Sequence, residues 1–147
     1  MIFGIILAVL GVLVLVAALA AMSGHYPGNG WVGINTPDTR RSRELWVLAH
    51  RAAGPLWLVS AVALGFGALV AMRGGSWLLT VFAVIALVVA VVLLGAGGSV
   101  GARAAAVAAA NAAEEDEYTD AHEDATADEP VQVDVAGLGE AIKHLKN

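Results

Sequence analysis

Residues 53–97 read AGPLWLVSAVALGFGALVAMRGGSWLLTVFAVIALVVAVVLLGAG. Two apolar runs, 53–72 and 76–97, are joined only by Arg73-Gly74-Gly75. Each is long enough to cross a hydrocarbon core of about 30 Å, which takes roughly 20 helical residues. So short a connection sends the chain straight back, which predicts an antiparallel helical hairpin through a bilayer. Gly65, Gly67 and Ala71 give the second run a strip of small residues where a neighbouring helix can approach closely. Trp77 opens the third run at headgroup level, and Trp31, Trp46 and Trp57 are expected near the other leaflet as an aromatic belt.

Upstream, residues 2–22 are a further breaker-free run of Leu, Val, Ile, Ala and Gly, with Gly4 and Gly11 offering another close-packing strip. Ala18-Leu19-Ala20 resembles a signal cleavage site, but the run is long for a signal and no Lys or Arg precedes it, so it reads as a retained anchor. The chain has 147 residues, 59% of them hydrophobic and 14% charged, with a mean hydropathy of +0.75, which is too apolar for a soluble domain of this size. An all-α integral membrane protein with three transmembrane helices is expected.

None of the three runs contains Asp, Glu, Lys, Arg or His, and Ser60, Ser76 and Thr80 are their polar side chains. Pumps and proton-coupled carriers retain ionisable groups in the membrane, so this chain alone does not read as one. The absence of cysteine excludes disulfides, thiolate metal sites and cysteine nucleophiles.

The connection between the first two runs holds most of the polar chemistry. Residues 23–31, SGHYPGNGW, are turn-rich and let the chain fold back along the membrane surface. Pro37 then favours an extended approach for Thr36, and Asp38 or Thr39 is placed to cap a helix running from about Thr39 into the second span. In that helix Leu45, Leu48, Ala49 and Ala52 recur at three- and four-residue spacing, with Arg40, Arg41, Arg43, Glu44 and Arg51 elsewhere, as in an amphipathic helix at the interface. A second face carries Ser42, Trp46, His50 and Ala53, where the imidazole can meet a headgroup, a peptide carboxylate or a partner's backbone. The bland alternative is anchoring by Trp46 with Arg51 snorkelling.

Lys and Arg near the span ends set orientation. Arg40, Arg41, Arg43, Arg51 and Arg103 fall on one side and Arg73 on the other, which places the amino terminus outside and the first connection and tail in the cytoplasm. After Gly97, Gly98 and Gly101 the alanine-rich stretch 102–113 is expected to continue the third helix beyond the membrane. Residues 114–129 then hold nine acids and no base, a run that alone in water should be disordered. Past Pro130, Val131, Val133 and Val135 alternate like a short strand, and Leu138, Ala141, Ile142 and Leu145 share a helical face suited to docking on a partner.

Other constellations carry little. His25, His50, His122 and His144 lack metal-ligand spacing, and His122-Glu123 has no second His to complete HExxH. The acidic run lacks the glycine and spacing of an EF-hand loop. Gly97-Gly98-x-x-Gly101 follows a span and has no Lys-Ser or Lys-Thr after it, so it is not a nucleotide loop. Ser42 and Ser60 have no base and acid arranged about them. No catalytic residue, metal or cofactor is therefore assigned.

One pattern does stand out. Gly33-Ile34-Asn35-Thr36-Pro37, Thr39, Trp46, His50-Arg51 and Gly54 resemble, in type and spacing, the signature of the SdpI family of bacterial membrane proteins. One position departs from it, Asn35 standing where the family usually has Arg. The resemblance covers about 24 residues and the flanking spans, and leaves the acidic tail outside. It implies a non-enzymatic protein of the bacterial plasma membrane that gives immunity to a peptide toxin or sequesters a regulator, with residues 33–51 as its recognition surface. The alternative is an accessory subunit of a larger membrane complex, held by small-residue strips and docked through the tail at Leu138, Ile142 and Leu145. Either way the expected partners are membrane lipids and a membrane protein or peptide toxin, and not nucleic acid.

Overall fold

The computed structural model describes residues 1–28 and 33–127, with side chains described through His122. Among the described residues the chain is all-helical, in the order α1 (Ile2–Ser23), α2 (Arg43–Arg73) and α3 (Trp77–Ala127). All three helices are long and apolar enough to cross a membrane. Large apolar side chains such as Ile5, Val12, Val62, Phe66, Ile85 and Val92 are exposed along them. A water-soluble protein would bury such side chains, whereas hydrocarbon solvates them.

Residues 1–111 form one compact unit, with α2 in contact with both other helices. Lipid gives no hydrophobic drive for helix association, so close backbone approach has to supply it. A Cβ on Gly4 would meet Met72 Cγ at 2.8 Å and one on Gly11 would meet Leu64 Cβ at 3.3 Å, while Gly54 faces Met22 and Ala18. α1 therefore runs antiparallel to α2. On its other side Gly67 abuts Ala86, Ser60 Oγ donates to the Ala90 carbonyl at 2.8 Å, and Trp57 Nε1–H donates to the Leu94 carbonyl at 3.3 Å. Further along, Gly97 meets Ala53 and Trp57, and Gly101 meets the Ala49 carbonyl. This antiparallel α2–α3 pair is the hairpin expected from the short connection, which turns through Gly74 and Gly75 at φ 62° and 84°. Of the pair Gly65 and Gly67, only Gly67 has neighbours that a Cβ would meet.

The segment between α1 and α2 differs from expectation. The helix starts at Arg43 rather than near Thr39, and its cap is Ser42, whose Oγ accepts from Leu45 N–H at 3.1 Å. Neither Asp38 nor Thr39 caps it, because Thr39 is already committed. Its Oγ1 accepts from Thr36 N–H at 2.9 Å, and Thr36 Oγ1 accepts from Thr39 N–H at 3.2 Å, closing a separate turn at 37–41. Residues 43–52 are the first turns of the long α2, and among the described residues no helix lies between α1 and them. Their buried face is Trp46, Ala49, His50 and Ala53, while Leu48 is exposed.

The aromatic belt also changes. Trp77 is exposed as expected, but Trp46 and Trp57 are buried in the protein because each packs against His50. Trp31 lies outside the described residues. The acidic run, expected to be unstructured on its own, continues α3 as helix to Ala127, the preceding alanines having already formed the costly first turns. The residues of α3 from Ala112 onward belong to a second unit, where Thr119 Oγ1 donates to the Glu115 carbonyl and Tyr118 packs on His122. The strand expected at 131–135 and the docking face at Leu138, Ile142 and Leu145 lie outside the described residues.

Candidate functional site

His50 is fully buried, two turns into α2 and before the apolar run that starts at Ala53. Its Nδ1 lies 2.8 Å from the Trp46 carbonyl, which can only accept, so Nδ1 carries a proton. Its Nε2 accepts from the Ile34 N–H at 3.1 Å, so Nε2 does not. The ring is thus a neutral imidazole with both nitrogens committed to backbone.

Aromatic rings enclose it. Tyr26 stacks on it at 4.3 Å between centroids and 21° between planes, Trp46 lies at 4.4 Å, and Trp57 presents an edge at 5.9 Å. Tyr26 is itself buried, which raises its hydroxyl pKa.

The loop is held from a second direction. Thr39 Oγ1 lies 2.8 Å from the Ile34 carbonyl, to which it donates. Both polar groups of the Ile34 peptide are therefore secured, the N–H by His50 and the carbonyl by Thr39. The Ile34 side chain is buried and reaches α3, where a Cβ on Gly101 would lie 2.5 Å from its Cδ1. Gly33, at φ 116°, passes over the imidazole so closely that a Cβ would sit 2.5 Å from Nε2. Only glycine fits both the dihedral and the space.

Most of the sequence-singled residues are thus brought together. Gly33, Thr36, Thr39, Trp46 and His50 clamp the loop on the helices, and Gly54 admits Met22 of α1 at the next level. Asn35, Pro37 and Arg51 do not join the clamp. Asn35 Oδ1 accepts from Arg40 Nε at 3.4 Å, Pro37 is exposed, and the Arg51 guanidinium lies over Gly24 at the carboxyl end of α1, where a cation is favoured. Tyr26, Trp57 and Gly101 are participants that the sequence reading missed as such. Tyr26 looked like part of a turn, and its only hint was an aromatic side chain among Gly and Pro.

Two cavities adjoin the clamp. One, of about 540 Å³, is apolar and bounded by Val14 and Ala17 of α1, Tyr26 and Ile34, Trp57, and Gly98 of α3. The other, of about 550 Å³, is polar and lies at the amino end of α2 beside Asn35, Arg40, Arg43 and Trp46. Both imidazole nitrogens of His50 are engaged by backbone groups.

Residues 25–96, which hold Tyr26, the loop and all of α2, match the profile of the SdpI/YfhL protein family. Residues 25–96 belong to the SdpI/YfhL family. No curated protein and no solved structure matches the chain significantly. The SdpI/YfhL segment starts at the loop, takes in all of α2, and ends within α3, so α1 and the acidic run fall outside it. Together with the three apolar helices, the family makes this a membrane protein.

Proposed function

We propose that the chain is a non-enzymatic SdpI-like protein of the bacterial plasma membrane whose loop and α2 start, residues 33–51, form a recognition surface for a peptide toxin or a regulator. The observation that carries this reading is the double clamp on Ile34. Buried histidine and threonine are spent on holding one loop, which leaves Asn35, Pro37 and Arg40 facing outward from a fixed frame. Arg40, hydrogen-bonded to Asn35, supplies a cation beside the position where the family usually has Arg. The neighbouring apolar cavity of about 540 Å³ has room for large hydrophobic side chains of a peptide. The arginine balance supports a cytoplasmic loop with the amino terminus outside. Deleting the gene should sensitise cells to a secreted peptide, and resupplying the Asn35→Ala/Arg40→Ala form should fail to restore resistance. Full resistance of the deletion across such peptides, or full rescue by that form, refutes the proposal.

A second reading, an accessory subunit docked through its tail, is favoured by one observation. Residues 112–122 are an exposed helical stretch in a unit of their own, rich in acids. On this reading, purification in mild detergent yields a stoichiometric partner that is lost on truncation after Ala113. A lone chain or homo-oligomer excludes it.

A further inference from the structure

We propose that the polar cavity at the amino end of α2 binds the phosphate of an anionic phospholipid headgroup. The cavity, about 550 Å³, is lined by Gly28, Asn35, Thr39, Arg40, Ser42, Arg43 and Trp46. Its cations are available. Arg41 is the arginine engaged with Asp38, at 3.6 Å, while Arg40 bonds only the neutral Asn35 and Arg43 makes no ion pair among the described residues. The Arg43 guanidinium lies over Gly28, 3.0 Å from where a Cβ would be, so the absence of a side chain there gives it room. Asn35 has its carbonyl oxygen on Arg40 and its amide N–H groups left as donors.

The helix start adds to this. Ser42 satisfies Leu45 N–H, and the Ser42 carbonyl accepts from Trp46 N–H, but the amides of Arg43 and Glu44 have no acceptor within the helix. Those amides and the helix dipole favour an anion. Glu44 sits in the same first turn and opposes it, but neither Glu44 nor Asp38 lines the cavity.

The independent observation is Trp46. Its side chain forms part of the cavity wall, the residue is only 6% exposed, and its Nε1–H is a buried donor without an acceptor. It is the one such side-chain atom among the described residues. Native proteins seldom leave buried donors unpaired, and this one belongs to a residue of the same wall as Arg40 and Arg43, neither of which is ion-paired among the described residues. Phosphate suits the two lining arginines, because a guanidinium pairs with phosphate oxygens in bidentate fashion.

Length identifies the source. The 31 residues of α2 span about 46 Å as helix, and a bilayer including its headgroups is about 40–45 Å thick. With Arg73 at one headgroup layer, Arg43 lies in the other, where lipid phosphates are the abundant anions.

The test uses the full chain in detergent, with thermal unfolding followed against three probes. These are dihexanoyl phosphatidylglycerol, dihexanoylglycerol lacking the phosphate, and inorganic phosphate. Expected is a saturable rise in Tm with phosphatidylglycerol alone, and about tenfold weaker binding in Arg40→Gln/Arg43→Gln, since a charge-assisted hydrogen bond is typically worth that much or more. Trp46→Phe keeps a ring in the wall and removes only the donor, so it should weaken the same titration and carries the test if the arginine variant does not fold. An equal response to dihexanoylglycerol, an equal response to inorganic phosphate, or unaltered binding in the variants overturns the proposal. The first removes the anion, the second the lipid, and the third the site.

Discussion

Replacing His50 by Ala should release the 33–39 loop while leaving the helices packed. The Ile34 N–H would lose its acceptor in a buried place, which costs about 1–3 kcal/mol. The Tyr26 ring contact, which joins the connecting segment to α2, would go as well, at about 0.5–1.5 kcal/mol. Together the loop should lose about 1.5–4.5 kcal/mol of docking free energy, which is roughly tenfold or more in its open population. Hydrogen exchange on the full chain in micelles reads this directly. Amides of 33–39 should lose protection by that factor, while those around Ser60 and Ala90, tied by their own α2–α3 hydrogen bond, should not change. Thr39→Val frees the Ile34 carbonyl from the other side, and its effect should combine non-additively with that of His50→Ala, because both act on one peptide. Unchanged protection at 33–39 in His50→Ala would refute the clamp, and so would a uniform loss across all three helices.

Acid should open the same loop. Protonating Nε2 would take the acceptor away from the Ile34 N–H, so that hydrogen bond is made only while His50 is neutral. Protection factors at 33–39 should fall as the pH is lowered in the wild type and stay flat in His50→Gln. Gly33→Ala should destabilise the loop by about 1–3 kcal/mol through its dihedral alone, with further loss because the Cβ collides with Nε2, again read by exchange. Gly101→Val should separate α3 from both Ile34 and the Ala49 carbonyl, lowering Tm and exposing 33–39 together. Ser60→Ala should be mild, about 0.6 kcal/mol, since interhelical hydrogen bonds in membranes average that little.

The helices and their pairing were legible because lipid imposes a simple rule on sequence. Uncharged runs of the right length have to cross, and a three-residue link such as 73–75 leaves only a hairpin. The Trp46–His50–Ala53 face was legible too, since helical spacing aligns those positions whatever lies opposite. The opposing partners were not. Tyr26 is 24 residues from His50, and no local periodicity links a turn tyrosine to a helix histidine. The cap was misplaced for a different reason. Thr36 and Thr39 bond each other across three residues, so their turn closes on itself and the helix begins only when Ser42 offers a free hydroxyl. Trp57 was assigned to a belt because composition places tryptophan at interfaces, whereas here its N–H reaches the Leu94 carbonyl inside the bundle.

The division of labour inside the motif bears on how a change at Asn35 should be interpreted. Gly33, Thr39, Trp46 and His50 have their polar or steric capacity consumed by backbone, ring or close-packing contacts within the protein, apart from the Trp46 indole N–H. Altering them changes whether a loop exists to present anything. Among the described residues the Asn35 side chain hydrogen-bonds only Arg40, so exchanging it alters the charge and shape presented and leaves the frame standing. Asn35→Arg and His50→Ala should therefore separate experimentally. The first should keep wild-type exchange protection at 33–39 while shifting activity toward peptides, and the second should lose protection and activity together. If Asn35→Arg instead unlocked the loop, the position would belong to the clamp, and the outward face would have to be sought at Pro37 and Arg40 alone.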